Sequence, residues 1–178
     1  WRIRWANQYT DTYWRLALDG LPTSRRMHMA VGGACPCGDP LPGRRHHLWD
    51  CPAAQAVVAV LRAKLGGRAL ACADVWLMRA PPGVLPGVWQ VVCIAALRGM
   101  WVARGALMVP QRRERYAGRT DQQRVQLAER TAVEAFWGVL SDYIRLGQPP
   151  RAWRRRLPAG SPFLHFPSPA GGLQVNRR

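Results

Sequence analysis

A cluster of potential metal ligands lies near the start of the sequence. Cys35 and Cys37 are separated by one residue, and Cys51 follows with His46 and His47 in between. Zinc favours thiolate and imidazole ligands, and four protein ligands close its tetrahedral shell. A catalytic zinc ion instead keeps one position open for water or substrate. The pattern therefore predicts a structural zinc site.

The spacing leaves the choice of histidine open. A His46 ligand gives the pattern Cys35-x-Cys37-x8-His46-x4-Cys51, whereas His47 would lie one residue nearer to Cys51. Both spacings suit a turn that leads into a helix. The loop is rich in glycine and proline, so it needs a stabilising device other than an apolar core. Reduced, scattered cysteines are the alternative to a metal site.

The remaining cysteines, Cys72 and Cys93, are predicted to be small core residues. Five cysteines is an odd number, and three of them are clustered. Arg2 and Arg4 lie where the apolar region of a secretory signal would be. Clustered cysteine and histidine without such a signal indicate metal rather than disulfides. We therefore expect an intracellular protein.

The charge of the chain is strongly positive. It has 26 lysine and arginine residues against 10 aspartate and glutamate residues, a net charge of +16. Such a charge predicts a polyanion partner, with nucleic acid as the first candidate. Only Lys64 is lysine, so a GC-rich genome that favours arginine codons is the alternative explanation.

Three short arginine-rich stretches are the candidate nucleic-acid contacts. Two of them flank or enter the cysteine loop, and the third precedes the last long helix, beside Tyr116. The alternative is a solvated positive surface. The candidate residues are Arg25, Arg26, Arg44, Arg45, Arg112, Arg113 and Arg115.

The sequence lacks the patterns of common catalytic sites. Its acidic residues form no close pair of the kind that two-metal polymerases and nucleases require. The segment Lys64-Leu65-Gly66-Gly67 does not fit a phosphate-binding loop. No serine has a histidine and an acid arranged around it as a nucleophile requires. We therefore predict a non-catalytic protein without a small-molecule substrate.

The apolar pattern predicts a mainly α fold. Residues 85–107 are apolar nearly all round, which is typical of a central helix, although Pro86, Gln90 and Arg98 interrupt the apolar run and argue against a membrane span. Residues 148–178 are rich in proline, glycine and arginine, so we expect a mostly disordered basic tail. Helices are predicted over 8–18, 25–29, 53–65, 70–78, 85–107 and 121–146.

The motifs together resemble a known family. They are Tyr13-Trp14-Arg15-Leu16, Leu21-Pro22-Thr23, Cys35-Pro36-Cys37-Gly38 and His46-His47-Leu48-Trp49-Asp50-Cys51-Pro52. These runs look like the zinc-binding domain that follows the polymerase domain in reverse transcriptases of non-LTR (LINE-type) retrotransposons. Trp101 to Arg104 resembles a later Trp-x-x-Arg helix of that family, and the match spans residues 9–104. The family's His-x4-Cys spacing implies His46 as the ligand.

The resemblance implies an accessory module that contacts template RNA or target DNA beside the polymerase portion of the same polyprotein. The family's Tyr/Phe-x-Asp-Asp motif is absent from this sequence. Three parts are expected: a zinc-binding helical domain over 1–104, a helical extension over 105–147 and the tail over 148–178. A nucleic-acid partner favours the nucleus over the cytoplasm. The alternative is a relic or domesticated zinc module that mediates protein–protein contacts.

Overall fold

The structure is a computed structural model that describes Trp5 and residues 7–28, 33–108, 118–146, 150–157, 161–167 and 171–177. The predicted mainly α class is confirmed. The elements in chain order are α1 (Asn7–Ala17), a π-helical turn (His46–Asp50), α2 (Pro52–Lys64), α3 (Cys72–Trp76), α4 (Pro86–Met108), α5 (Asp121–Leu146), α6 (Trp153–Arg156), β1 (Leu164–His165) and β2 (Gln174–Val175).

Helix α4 is the centre of the fold. Its residues are buried almost without a break from Val88 to Leu97, and α1, α2 and α5 all pack on it. An all-round apolar sequence favours this central position because no face of the helix gains from contact with water. By length and composition α4 could also cross a membrane, but most of it is buried against the other helices.

Helices α4 and α5 approach closely at a glycine. A Cβ atom added to Gly99 would lie 2.6 Å from the carbonyl oxygen of Ala132 and 3.0 Å from the backbone nitrogen of Phe136. Only a residue without a side chain fits here. The close approach lets Phe136 and Leu140 reach full burial in the shared core.

The short helix predicted after Thr23 does not form over the described residues. Residues 24–28 form turns instead, and residue 29 lies outside the described part of the chain. Thr23 still acts as a cap, because the backbone N–H of Arg26 donates to its Oγ1 at 3.2 Å. The turn ends at His28, whose φ of 50° is incompatible with a continuing right-handed helix.

The prediction of a disordered tail is wrong for its described residues. Trp153, Phe163 and Leu164 are buried, and β1 pairs antiparallel with β2. The Phe163 ring lies 6.0 Å from the ring of Trp89 between their centroids. A few large apolar side chains among prolines and arginines therefore anchor this segment to the helical core.

The predicted three-part division of the chain stays a prediction. Helix α4 continues past residue 104, where the zinc-binding part was expected to end. Cys93 is buried in the core, as expected, whereas Cys72 is only half-buried at the first residue of α3.

Candidate metal centre

A tight turn presents the first two thiols. The backbone N–H of Gly38 donates to the carbonyl of Cys35 at 2.9 Å, and the N–H of Cys35 donates to the carbonyl of Asp39 at 2.8 Å. Gly38 has a φ of 104°, which side-chain-bearing residues rarely adopt. This turn brings the side chains of Cys35 and Cys37 to the same side of the loop.

A π-helical turn presents the other two candidate ligands. It runs from His46 to Asp50, and the backbone N–H of Cys51 donates to the carbonyl of His46 at 2.7 Å. This bond spans five residues, so it explains why a His-x4-Cys spacing suits one site. Cys51 is the N-cap of α2, and Pro52 is the first helical residue, as the sequence predicts.

The four ligand atoms form a compact cluster. The ligand atoms of Cys35, Cys37, His46 and Cys51 all lie within 4.8 Å of one another. The Cys37 Sγ is 3.4 Å from the His46 Nε2. Ligands in a tetrahedral zinc shell lie about 3.5–3.8 Å apart, given bonds of about 2.3 Å to sulfur and 2.0 Å to nitrogen. These four residues can therefore hold one metal ion after small adjustments.

Asp39 orients the imidazole of His46. Its Oδ2 lies 2.9 Å from Nδ1 of His46, and its Oδ1 accepts the backbone N–H of Leu41 at 2.9 Å. A proton on Nδ1 leaves the lone pair of Nε2 directed at the thiols. Metal-binding histidines are commonly held by a carboxylate in this way, which fixes the ring and increases its basicity.

The surroundings of Cys35 and Cys37 raise the pKa of both thiols. The hydrogen bond to Cys51, followed by burial, raises the pKa of Cys35 to about 12. Burial also raises the pKa of Cys37. Crowded, buried thiolates repel one another unless a cation lies between them. A divalent ion supplies that charge and displaces the thiol protons when it binds.

His47 lies outside the cluster. It is 3% exposed, its ring packs edge-on against Trp101 and its Nε2 has no hydrogen-bond partner among the described residues. Burial, and then the charge of Arg104, lower the pKa of His47 to about 3, so its imidazole is neutral at physiological pH. The structure therefore brings His46, and not His47, to the candidate metal centre.

The described candidate arginines lie in two places. Arg25, Arg26 and Arg44 line one cavity around Asp19. Arg45 turns away from that cavity and pairs with Asp50 at 3.2 Å. The remaining candidates, Arg112, Arg113 and Arg115, lie outside the described residues.

Sequence reasoning missed the two carboxylates that organise these groups. Asp39 is the second residue after Cys37, and this nearness in sequence was the only sign that its carboxylate lies at the metal centre. Asp19 is followed by Gly20 directly after the predicted helix over 8–18, a pair that signals only the end of a helix. Its approach to Arg44, 25 residues away, is a tertiary contact that no local pattern encodes.

Comparisons with known proteins give no relative. The chain matches no family model, no curated protein and no solved structure.

Proposed function

We propose that this protein is a non-catalytic, zinc-binding nucleic-acid-binding module, accessory to a retrotransposon-type reverse transcriptase. The observation that carries the proposal is that one loop serves both the metal centre and the cationic surface. The loop between Cys37 and His46 bears Arg44. Arg25 donates to two carbonyls of this loop, from its Nε to that of Leu41 at 3.5 Å and from its backbone N–H to that of Pro42 at 3.4 Å. A metal that fixes this loop also fixes the arginines.

Contacts between the motif residues support the family resemblance. Arg104 of α4 donates to the carbonyl of Pro22, in the Leu-Pro-Thr turn. The guanidinium carbon of Arg104 lies 4.6 Å from the ring centroid of Trp101, and the Trp101 ring contacts His47. The turn, the Trp-x-x-Arg segment and the His-x4-Cys segment thus meet in one place. The residues that carry the resemblance are distant in sequence, yet they form one contact network.

Zinc is the metal that the ligand set favours. Three thiolates and one imidazole make a soft, tetrahedral shell with no position left for water or substrate. The purified chain should contain about one zinc per molecule by elemental analysis, as expected for a closed four-ligand site. A different metal, or none after purification without chelators, would contradict this assignment.

Salt-dependent binding tests the nucleic-acid role. The zinc-loaded chain is titrated into labelled single-stranded RNA and duplex DNA at several salt concentrations. Release of counterions predicts a log–log slope of about −0.7 to −0.9 for each phosphate neutralised. Flat, weak binding at all salt concentrations would contradict the proposal and favour a zinc module for protein–protein contacts. We expect no metal-dependent nucleotide turnover in either case.

Zinc removal tests the link between the two properties. If the metal fixes the arginine-bearing loop, a chelator should weaken nucleic-acid binding, and restoring zinc should recover it. Binding that is equally tight with and without metal would show that the arginines do not depend on the metal centre.

A further inference from the structure

A cavity with an unusual charge arrangement lies beside the loop between Cys37 and His46, which we call the metal loop. It measures about 510 Å³ and is lined by Asp19, Arg25, Arg26, His28 and Arg44. The carboxylate of Asp19 lies 3.0 Å from Arg44 Nη1 and 3.7 Å from Arg26 Nη1. Three arginines and one acidic side chain line the cavity, so among its described lining residues two positive charges have no acidic counterpart.

The backbone at Asp19 is left-handed, with the residue at the C-terminal end of α1. The N–H of Gly20 donates to the carbonyl of Arg15 at 2.6 Å, and the N–H of Asp19 donates to the carbonyl of Leu16 at 3.2 Å. This pair of bonds is a Schellman motif, whose left-handed residue is usually glycine. Asp19 occupies that position with a φ of 53°. Its charge also lies at the negative end of the dipole of α1.

The left-handed residues are concentrated at this cavity. Asp19 and His28 both line it, and among the described residues only Met78 shares a positive φ without being glycine. Left-handed backbone at residues with side chains costs free energy and is common at functional sites.

The ion pairs of Asp19 are easily exchanged. The side chains of Asp19 and Arg44 are 64% and 45% exposed, and solvent-exposed pairs of this kind contribute little stability. A phosphate group is a stronger partner for arginine, since it offers bidentate acceptors and more negative charge. An arriving phosphate can therefore take the guanidinium groups from the carboxylate without disturbing the fold.

We infer that this cavity binds the phosphodiester backbone, and that Asp19 is a built-in competitor that holds the arginines in place until phosphate replaces it. The inference rests on the proposed nucleic-acid function and assigns it a site. Two uncompensated charges match two backbone phosphates. Arg25 and Arg44 provide the phosphate contacts, and Asp19 sets the affinity by opposing them.

The test uses a matched pair of ion pairs in the full zinc-loaded chain. Asp19→Asn and Arg44→Gln alter the cavity. Asp11→Asn and Arg15→Gln make the same charge changes in the exposed pair of α1, where the two side chains lie 2.8 Å apart and outside the cavity. Asparagine tolerates the left-handed backbone of position 19, so Asp19→Asn should fold normally, and a thermal melt checks this.

Affinities for labelled uridine-homopolymer RNA and for duplex DNA are measured against salt. Asp19→Asn should bind about fivefold more tightly than Asp11→Asn, from the loss of one repulsive charge near a phosphate in water. Arg44→Gln should reduce the salt slope by about 0.7 on RNA and 0.9 on DNA relative to Arg15→Gln. If the variants show these changes on both RNA and DNA, the ligand is the phosphate backbone that the two share. If they show them on only one of the two, the ligand is that nucleic acid.

Two failures can be told apart. If wild-type protein binds with a steep salt slope but the cavity variants match their α1 controls, the assignment of the cavity is overturned while the proposed function stands. If wild-type binding is weak and independent of salt, the nucleic-acid function and the cavity assignment both fall.

Discussion

The metal loop and the helical body of this protein are stabilised by different forces. Around α4, side chains from α1, α2 and α5 form one continuous buried core. In the loop between Cys37 and His46, most residues are exposed or half-buried, and Leu41 is 38% exposed. The body is therefore stabilised by burial of apolar surface, whereas the proposed function makes the loop depend on the four candidate metal ligands at and beside its ends.

This difference has a consequence for how each region responds to mutation. A packed core loses stability in proportion to the atoms removed and the cavity left behind. A closed metal site fails as a unit, because removal of one ligand opens the coordination shell and weakens the hold of the others. The following predictions test this contrast, from the largest expected effect to the smallest.

Loss of one metal ligand should release the loop while the helical body stays folded. An intact structural zinc site contributes about 10–16 kcal/mol of apparent binding free energy. In Cys51→Ser one thiolate ligand is lost and the shell is open, so bound zinc should fall far below one per chain. Trypsin should then cut after Arg44 and Arg45, which the metal otherwise keeps in a fixed loop. Elemental analysis and timed proteolysis measure the two effects.

Cys72→Ser is the matched control for this prediction. Cys72 is half-buried and lies outside the ligand cluster, so the same atom change should leave zinc content and proteolysis unaltered. Stoichiometric zinc in Cys51→Ser would mean that the ligand set is wrong. A helical signal lost together with the zinc would mean that the body also depends on the metal.

The tail should behave as part of the packed body. Trp153 is 5% exposed, and its ring centroid lies 5.9 Å from that of Tyr143. Trp153→Ala should lower the free energy of unfolding by about 3–5 kcal/mol, the usual range for a large aromatic removed from a core. Chemical denaturation measures it. Leu146→Ala, at a 64% exposed position, should change it by less than about 0.5 kcal/mol. Equal, small changes in the free energy of unfolding for the two variants would mean that the tail is disordered.

Asp39 should affect the metal without being a ligand. In Asp39→Asn the acceptor for the N–H of Leu41 is kept, but the charge that orients His46 is lost. Loss of such a partner weakens metal binding by about 10–100-fold. Competition with a chromogenic chelator measures the affinity. Asp50→Asn removes an equal charge from the π-helical turn, where Asp50 pairs with Arg45, and should have a smaller effect. Equal effects would mean that Asp39 acts only through its charge.

Local patterns predicted the parts of the structure that local forces decide. The all-round apolar sequence of α4 requires burial, and Pro52 marks the start of α2. The types and spacing of the cysteines and histidines predicted one site but left the choice between His46 and His47 open. The spacing in the family that the chain resembles favoured His46, and its ligand atom does lie with the three thiols. These features follow from helix periodicity, backbone geometry and ligand chemistry.

Tertiary contacts decided the features that the sequence did not reveal. The composition of the tail suggested disorder because it is rich in proline, glycine and arginine and has few core-forming residues, yet Phe163 and Leu164 are buried in the core shared with α4. The π-helical turn has no sequence pattern of its own. The grouping of Arg25 with Arg44 depends on how the metal loop folds back onto the turn after α1.

Two glycines in the helical body test packing with the same chemical change. Gly99→Ala places a Cβ atom 2.6 Å from the carbonyl oxygen of Ala132, so α4 and α5 must separate. Overpacking of this kind costs about 1–3 kcal/mol, partly offset by about 1 kcal/mol of helix propensity. Gly138 is exposed on α5, and a Cβ there meets nothing within 4 Å. Gly138→Ala should therefore stabilise the protein by about 0.5–1 kcal/mol.

Chemical denaturation of both variants should give changes of opposite sign in the free energy of unfolding, while zinc content stays unchanged. If Gly99→Ala also stabilised the protein, the close contact of α4 with α5 would be wrong. If it released zinc, the helical body and the metal loop would not be independently stabilised.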